Sequence, residues 1–314
     1  MDQQLLAFVT VADEQNFTRA AEKLFISQPA ISQHIQTLEH RFDVKLFDRT
    51  NKYVRLTKAG EVVYHHAKEI LSRYDQMDRL IKDLKEEASG SLYIGASFTF
   101  GEYVLPHIIA GFRSSYGKII PVISIDNTIT VVKQVAEGTL DIGIIEGKSV
   151  HDNNVDVRPF AEDTVVIVGA YNHPLASRKH ITANQMENEN WIIRERGSGT
   201  REITDHVFRT YGIQPKSVVE YSSSQMIKES VEAGLGLTVL SKWVVRKELM
   251  WNTLCEIRFM DTPVERKFSI VVRKSNFQTK ATQLFEKFLH EQSPGINRLM
   301  KEHGVEQTAV NKDY

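Results

Sequence analysis

Eight apolar residues, Val63, Ala67, Ile70, Tyr74, Met77, Ile81, Leu84 and Ala88, follow one another at alternating spacings of four and three, and beyond Gly60 neither Pro nor Gly interrupts them. That repeat stacks each residue under the next on one helix, so 59–88 reads as a single long helix carrying a narrow apolar seam. Charged and polar side chains fill the other positions. A stripe this narrow suits a partner helix better than a broad bed on the helix's own domain, which is the alternative. A rod here divides the chain into a short leading part and a long trailing one. A chain of 314 residues exceeds the size of one ordinary core, which agrees with that division.

The leading part reads as three short helices. Residues 5–12 and 18–25 each present one apolar face, and Thr18 is a cap for the second. After a bend at Ile26, Ser27 is a good N-cap and Pro29 stands in the first turn, where a missing N–H costs nothing. In the third helix Ile31, Ile35, Leu38 and Phe42 form one stripe, and Gln28, Ser32, Gln33 and Gln36 lie opposite. From Leu46 to Thr57, two short extended pieces flank a polar turn. This is a winged helix-turn-helix, whose second motif helix enters the DNA major groove.

Charge supports that reading only when divided along the chain. The whole carries a net charge of −1. Residues 41–58 hold six Lys/Arg against two Asp/Glu, a basic strip suited to phosphate. Ser27, Gln28, Pro29, Ser32, Gln33 and Gln36 are therefore candidates for reading base edges, since Gln bonds adenine in a bidentate way. Thr18, Arg19, Arg49, Lys52 and Arg55 are candidates for phosphate. The bland alternative makes Gln and Ser a solvated face and Arg49 an ion-pair partner of Asp48 or Glu39.

After Ser89-Gly90-Ser91, strand-like runs alternate with helix-like ones, which argues a parallel or mixed α/β sheet covered by helices. Val155–Val168 and Cys255–Val272 look like longer extended passages that carry the chain between two lobes. From about Pro294 the chain reads as polar and frayed. Three polar segments each follow a strand and open a helix: Ser97-Phe98-Thr99-Phe100-Gly101, Asn127-Thr128, and Gly197-Ser198-Gly199-Thr200-Arg201. Hydroxyls and amides at such places suit a small anion, though any one of them serves equally well as an N-cap. The candidate effector residues are Ser97, Phe98, Thr99, Phe100, Thr128, Glu146, Ser198, Gly199, Thr200 and Arg201. Glu146, at the end of the strand Asp141–Ile145, would repel an anion unless Arg194, Arg196 or Arg201 pairs with it.

Several classes are excluded. No phosphate-loop spacing, catalytic triad or paired carboxylates occur, so no enzyme, cofactor or catalytic residue is expected. His65-His66 has no Cys or further His at ligand spacing, and Cys255 has no second cysteine for a disulfide or redox switch. Asp2, Gln3 and Gln4 stand where a secretory leader needs bases, and the best apolar run, Thr164 to Ala170, is far short of a span. A cytoplasmic protein with no membrane partner is expected. A cytoplasmic solute-binding protein, or a small-molecule enzyme using the α/β cleft, is the rival reading.

Phe17-Thr18-Arg19-Ala20-Ala21, Leu24, Ser27-Gln28-Pro29-Ala30-Ile31-Ser32, Ile35, Leu38-Glu39, Leu46-Phe47-Asp48-Arg49 and Leu56-Thr57-Lys58-Ala59-Gly60 resemble the N-terminal signature of the LysR-type transcriptional regulators. Leu105-Pro106, Gly138-Thr139-Leu140-Asp141-Ile142-Gly143-Ile144 and His173-Pro174-Leu175 are similar to that family's effector domain. The resemblance implies an α/β protein with a mainly α winged helix-turn-helix at 1–58, a dimerising linker helix at 59–90, and a two-lobed effector domain similar to periplasmic binding proteins at 91–300. Lobe I then comprises about 91–162 and 267–300, lobe II about 163–266, and 301–314 is a polar tail. It also implies a bacterial homodimer, commonly a homotetramer, that binds a partly palindromic operator and RNA polymerase. The seam residues Val63, Ala67, Ile70, Tyr74, Met77, Ile81 and Leu84 would form the dimer contact. The Gly-Ser-Gly-Thr-Arg loop resembles relatives that regulate sulfur assimilation or carbon fixation.

Overall fold

A computed structural model describes residues 2–49, 53–83, 88–147, 152–275 and 277–305. The chain forms two compact units, residues 1–85 and 86–314. In the first, three helices, α1 (Asp2–Glu14), α2 (Phe17–Leu24) and α3 (Gln28–Phe42), precede a hairpin of β1 (Phe47–Arg49) and β2 (Val54–Leu56), and α4 (Lys58–Asp83) completes it. Leu5, Phe8, Ala20, Ala21, Ile31, Ile35, Leu38, Leu46 and Phe47 make its core. Ser27 caps α3 as the sequence indicates, its hydroxyl accepting from the Ala30 amide at 3.3 Å.

Three expectations are corrected here. The cap of α2 is Asn16, whose Oδ1 accepts from the amides of Thr18 and Arg19 at 2.8 and 3.0 Å; Thr18 lies inside the helix and is itself capped. Phe42 ends α3 just before left-handed Asp43 and stays 45% exposed, because the chain turns away before the stripe can close over it. The seam of α4 is also divided. Ala67 is fully buried and Val63 packs beside it against the core of the same unit, whereas Ile70, Tyr74, Met77 and Ile81 are exposed. Leu84 lies outside the described residues.

The second unit contains β3 (Gly90–Ser97), α5 (Phe98–Tyr103), α6 (Leu105–Ser115), β4 (Ile119–Asp126), α7 (Thr128–Glu137) and β5 (Ile142–Glu146). It continues with β6 (Val155–Ala170), α8 (Ala183–Glu187), β7 (Asn190–Arg194), α9 (Gly199–Thr210), β8 (Ser217–Tyr221) and α10 (Ser224–Glu232). The remaining elements are β9 (Thr238–Ser241), α11 (Lys242–Met250), β10 (Leu254–Glu256), β11 (Val264–Arg273) and α12 (Lys280–Val305). One mixed seven-stranded sheet runs β10-β6-β11-β5-β3-β4 with β9 on β6, and a parallel pair, β7-β8, stands apart.

The long strands β6 and β11 pair antiparallel and join two separate cores. On one side Phe100, Phe112, Phe268 and Phe285 pack around β3 and β5. On the other, Trp191, Val207 and Phe259 pack around β7 and β9. The first passage expected to bridge the lobes is the single strand β6, while the second breaks into β10 and β11. Among the described residues fraying from Pro294 is not found: α12 continues through it to Val305, held by buried Ile296 and by Asn297, whose side chain accepts from the Glu162 amide at 2.8 Å, and residues 306–314 of the expected polar tail lie outside them.

The exposed half of the α4 seam leads to a test. Ile70→Glu with Met77→Glu puts like charges into a self-paired seam but leaves half-buried Val63 and buried Ala67 alone, so the double variant should sediment as a folded monomer. An unchanged oligomer would place the interface elsewhere.

Candidate functional site

On α3, Gln28, Pro29, Gln33 and Gln36 are exposed and Ser32 is half-buried, with the Gln28 side chain donating to the Ser32 hydroxyl at 3.0 Å. Because Ile31, Ile35 and Leu38 are fixed in the core, these polar residues share the outer face by the helical repeat alone. Thr18, Arg19, Ser27 and Arg55 are exposed as well. Arg49 ends β1, and Lys52 lies outside the described residues. Glu39 enters the sequence reading as part of the signature and as one of two alternative partners for Arg49. It is buried, and one oxygen accepts from the amides of Leu46 and Phe47 at 3.0 and 3.4 Å while the other meets Lys45 at 3.0 Å. That carboxylate ties the start of the wing to the reading helix.

In the second unit the decisive side chain belongs to none of the sequence motifs above. Arg266 of β11 is fully buried. Its Nε meets Asp163 at 2.6 Å, Nη1 donates to Thr200 at 3.1 Å, and Nη2 donates to Thr99 at 3.3 Å and to Glu146 at 3.2 Å. Thr99 also donates to Glu146 at 3.1 Å, and Ser241 donates to Asp163 at 2.5 Å. Thr99 and Glu146 come from elements around the first core, Thr200 and Ser241 from elements around the second, and Arg266 and Asp163 from the two strands that join them. The pattern held a clue. Arg266 is in phase with buried Phe268 and Ile270, and Asp163 with Ala161 and Val165, so strand alternation turns both charges inward.

Of the ten candidate effector residues, Thr99, Thr200 and Glu146 meet at this guanidinium. Thr128 is adjacent, donating to the Glu146 carbonyl at 3.0 Å. Gly199 packs against the same carbonyl: a Cβ there would lie 2.1 Å from it, so no larger residue fits. Ser198 caps α9, and the Ser97 hydroxyl donates to the Ile144 carbonyl at 3.4 Å. Three others are not brought to the cluster. Arg201 turns away to Asp205, Glu220 and the Arg194 carbonyl, because opposite charges on its own helix and on β8 are nearer. Phe100 lies in the core against Phe160 and Phe268. Phe98 lies under the guanidinium of Arg194 at 4.6 Å. The expected pairing of Glu146 with Arg194, Arg196 or Arg201 is thus replaced by Arg266.

Removal from water pushes the Asp163 carboxyl up to about 6, with Arg266 and Ser241 pulling the other way. For Arg266 the same desolvation opposes its charge, but Glu146 and Asp163 outweigh it and hold the guanidinium above its ordinary value.

Residues 3–61 match the lysR family of bacterial regulatory helix-turn-helix proteins, and residues 85–294 match the LysR substrate binding domain. The HTH-type transcriptional regulator CysL of Bacillus subtilis is 40% identical over 281 residues, covering 90% of this chain and 94% of that protein. The chain belongs to the LysR-type transcriptional regulators. A probable RuBisCO transcriptional regulator of Trieres chinensis is 32% identical over 290 residues, with 90% and 94% coverage. Full-length CbnR complexed with its target DNA shares the fold, with a TM-score of 0.70 at 20% identity, covering 93% of this chain and 99% of that one. This LysR-type protein is therefore a regulator with a DNA-binding head and a ligand-binding domain, not an enzyme. Among the described residues no helix is long and apolar enough to cross a membrane.

The raised Asp163 value has a definite sign in stability. An unfolded aspartate titrates near about 3.9, so between about pH 4 and 6 the folded regulator binds a proton that the unfolded chain does not. The group's favourable contribution is complete below about pH 4 and is lost as pH rises through about 6. Asp163→Asn should flatten the melting-temperature profile across that window. An unaltered slope would mean that other groups set it.

Proposed function

We propose that this LysR-type regulator binds a partly palindromic operator as a homodimer or homotetramer, and that a small polar, anionic effector bound between the lobes controls it. The observation that carries this reading is one guanidinium shared by hydroxyls from both lobes, Thr99 at 3.3 Å and Thr200 at 3.1 Å. A molecule that engages these hydroxyls and Arg266 differently in two lobe arrangements shifts the population between them, and that differential affinity is what regulation requires. Ser97, Thr128, Ser198 and Gly199 would line the same place, and Arg266 offsets the charge of Glu146 that would otherwise oppose an anion.

For the head, the exposed Gln28, Gln33 and Gln36 are suited to base edges and Arg19 and Arg55 to phosphate. RNA polymerase is the partner through which operator binding would act, in the cytoplasm. Sulfur or carbon metabolism is the field these proteins suggest, supported by the CysL and RuBisCO regulators above. The Synechocystis CcmR regulatory domain, solved in complex with 2-PG, adds a likeness of fold at 23% identity and a TM-score of 0.61.

Two measurements test the two halves. Gln28→Ala or Gln33→Ala should relax preference at one base position of each half-site, by roughly 1–3 kcal/mol; a randomised-site selection that returns no enriched motif for the wild type would overturn the DNA reading. In operator-binding titrations with 2-PG and inorganic sulfate as probe anions, Thr200→Val should lose any anion-dependent change in affinity while still melting cooperatively. Retention of the full change would move the effector elsewhere.

A further inference from the structure

The inter-lobe cluster has one guanidinium facing two carboxylates, and all three are buried. Asp163 alone forms the shortest of the ion pairs to Arg266, at 2.6 Å, so the second carboxylate is not needed to balance the charge. Glu146 is nonetheless placed with care. Its main chain is pinned by the Thr128 hydroxyl and closed over by Gly199. Its two carboxylate oxygens divide between Thr99 at 3.1 Å and Arg266 at 3.2 Å. A hydroxyl and a guanidinium, set against one carboxylate in a dry site, are the contacts by which a protein recognises a small carboxylate from solution.

Resting on the effector reading above, we infer that Glu146 is a resident carboxylate: it occupies the anion position of the inter-lobe site, and a small anionic effector acts by taking Arg266 and Thr99 from it. Effector binding is then an exchange of one anion for another on a fixed cation. The site needs no change in net buried charge if the displaced Glu146 side chain reaches water. This exchange accounts for a carboxylate standing at a place meant for an anion. It also restricts the effector to molecules whose anionic group competes with a tethered carboxylate.

The test uses chemical rescue in the full-length regulator. Glu146→Ala removes a methylene and a carboxylate, whose heavy atoms are those of acetate, while Asp163 continues to hold Arg266. Melting temperature is followed against acetate, with acetamide as the uncharged molecule of the same shape. The variant should melt below the wild type and recover saturably with acetate but not with acetamide, and the wild type should respond to neither. Equal effects of acetate and acetamide, or no effect of acetate on a destabilised variant, would overturn the inference. Should Glu146→Ala fail to fold, Glu146→Gln carries the test, since it keeps the shape and loses the charge. Inorganic sulfate should then give its half-maximal thermal shift at about a tenfold lower concentration than in wild type, and equal concentrations would overturn the idea. Acetate rescue of melting with no accompanying change in operator affinity would leave Glu146 as the resident anion and overturn the effector reading instead.

Discussion

A guanidinium taken wholly out of water costs several kcal/mol unless its hydrogens are matched, and in this protein the matching partners of Arg266 come from both lobes. Asp163 and Arg266 stand on the joining strands, Thr99 and Glu146 belong to one core, and Thr200 and Ser241 to the other. Glu146 and Ser241 end β5 and β9, and Thr99 and Thr200 lie at the starts of α5 and α9, so the backbone geometry of these four elements is constrained through the buried Arg266–Asp163 pair. Removing a single partner from such a pair typically costs about 3–5 kcal/mol. The cluster therefore specifies how the lobes meet, while the apolar cores on either side supply most of the favourable free energy of folding.

The same economy of polar contacts appears in the head. Glu39 is buried among apolar residues, and its two oxygens are satisfied by the first amides of the wing and by Lys45. The carboxylate-to-amide link from Glu39 to Leu46 and Phe47 fixes the offset between α3 and the wing. Asn16 and Ser27 do the corresponding work at the starts of α2 and α3, turning the chain twice within a few residues.

Much of the architecture was legible from local pattern. Apolar periodicity located α1 to α4 and most of the alternating strands and helices, because each buries one face and repeats at its own period. The residues proposed to meet DNA followed from the same argument, since Gln28, Gln33 and Gln36 must face outward once Ile31, Ile35 and Leu38 face inward. Helices α8, α11 and α12 were not legible. The polar composition from Pro294 read as a frayed end, yet burial of Ile296 and the Asn297 contact to β6 carry the helix past it.

The sequence by itself determined the order of parts, the helix-turn-helix with its basic wing, and the seam that makes α4 a rod, because spacing along one element is a property of neighbouring residues. Only the tertiary structure decided which half of that seam is spent on the head's own core, and which arginine meets Glu146. Arg194, Arg196 and Arg201 are nearer to Glu146 along the chain than Arg266, which reaches it through the pairing of β11 with β5. Arg201 is held by Asp205 and Glu220 instead. A contact made across a sheet depends on register between distant strands, and nothing in the local pattern of residues 194–201 carries that register.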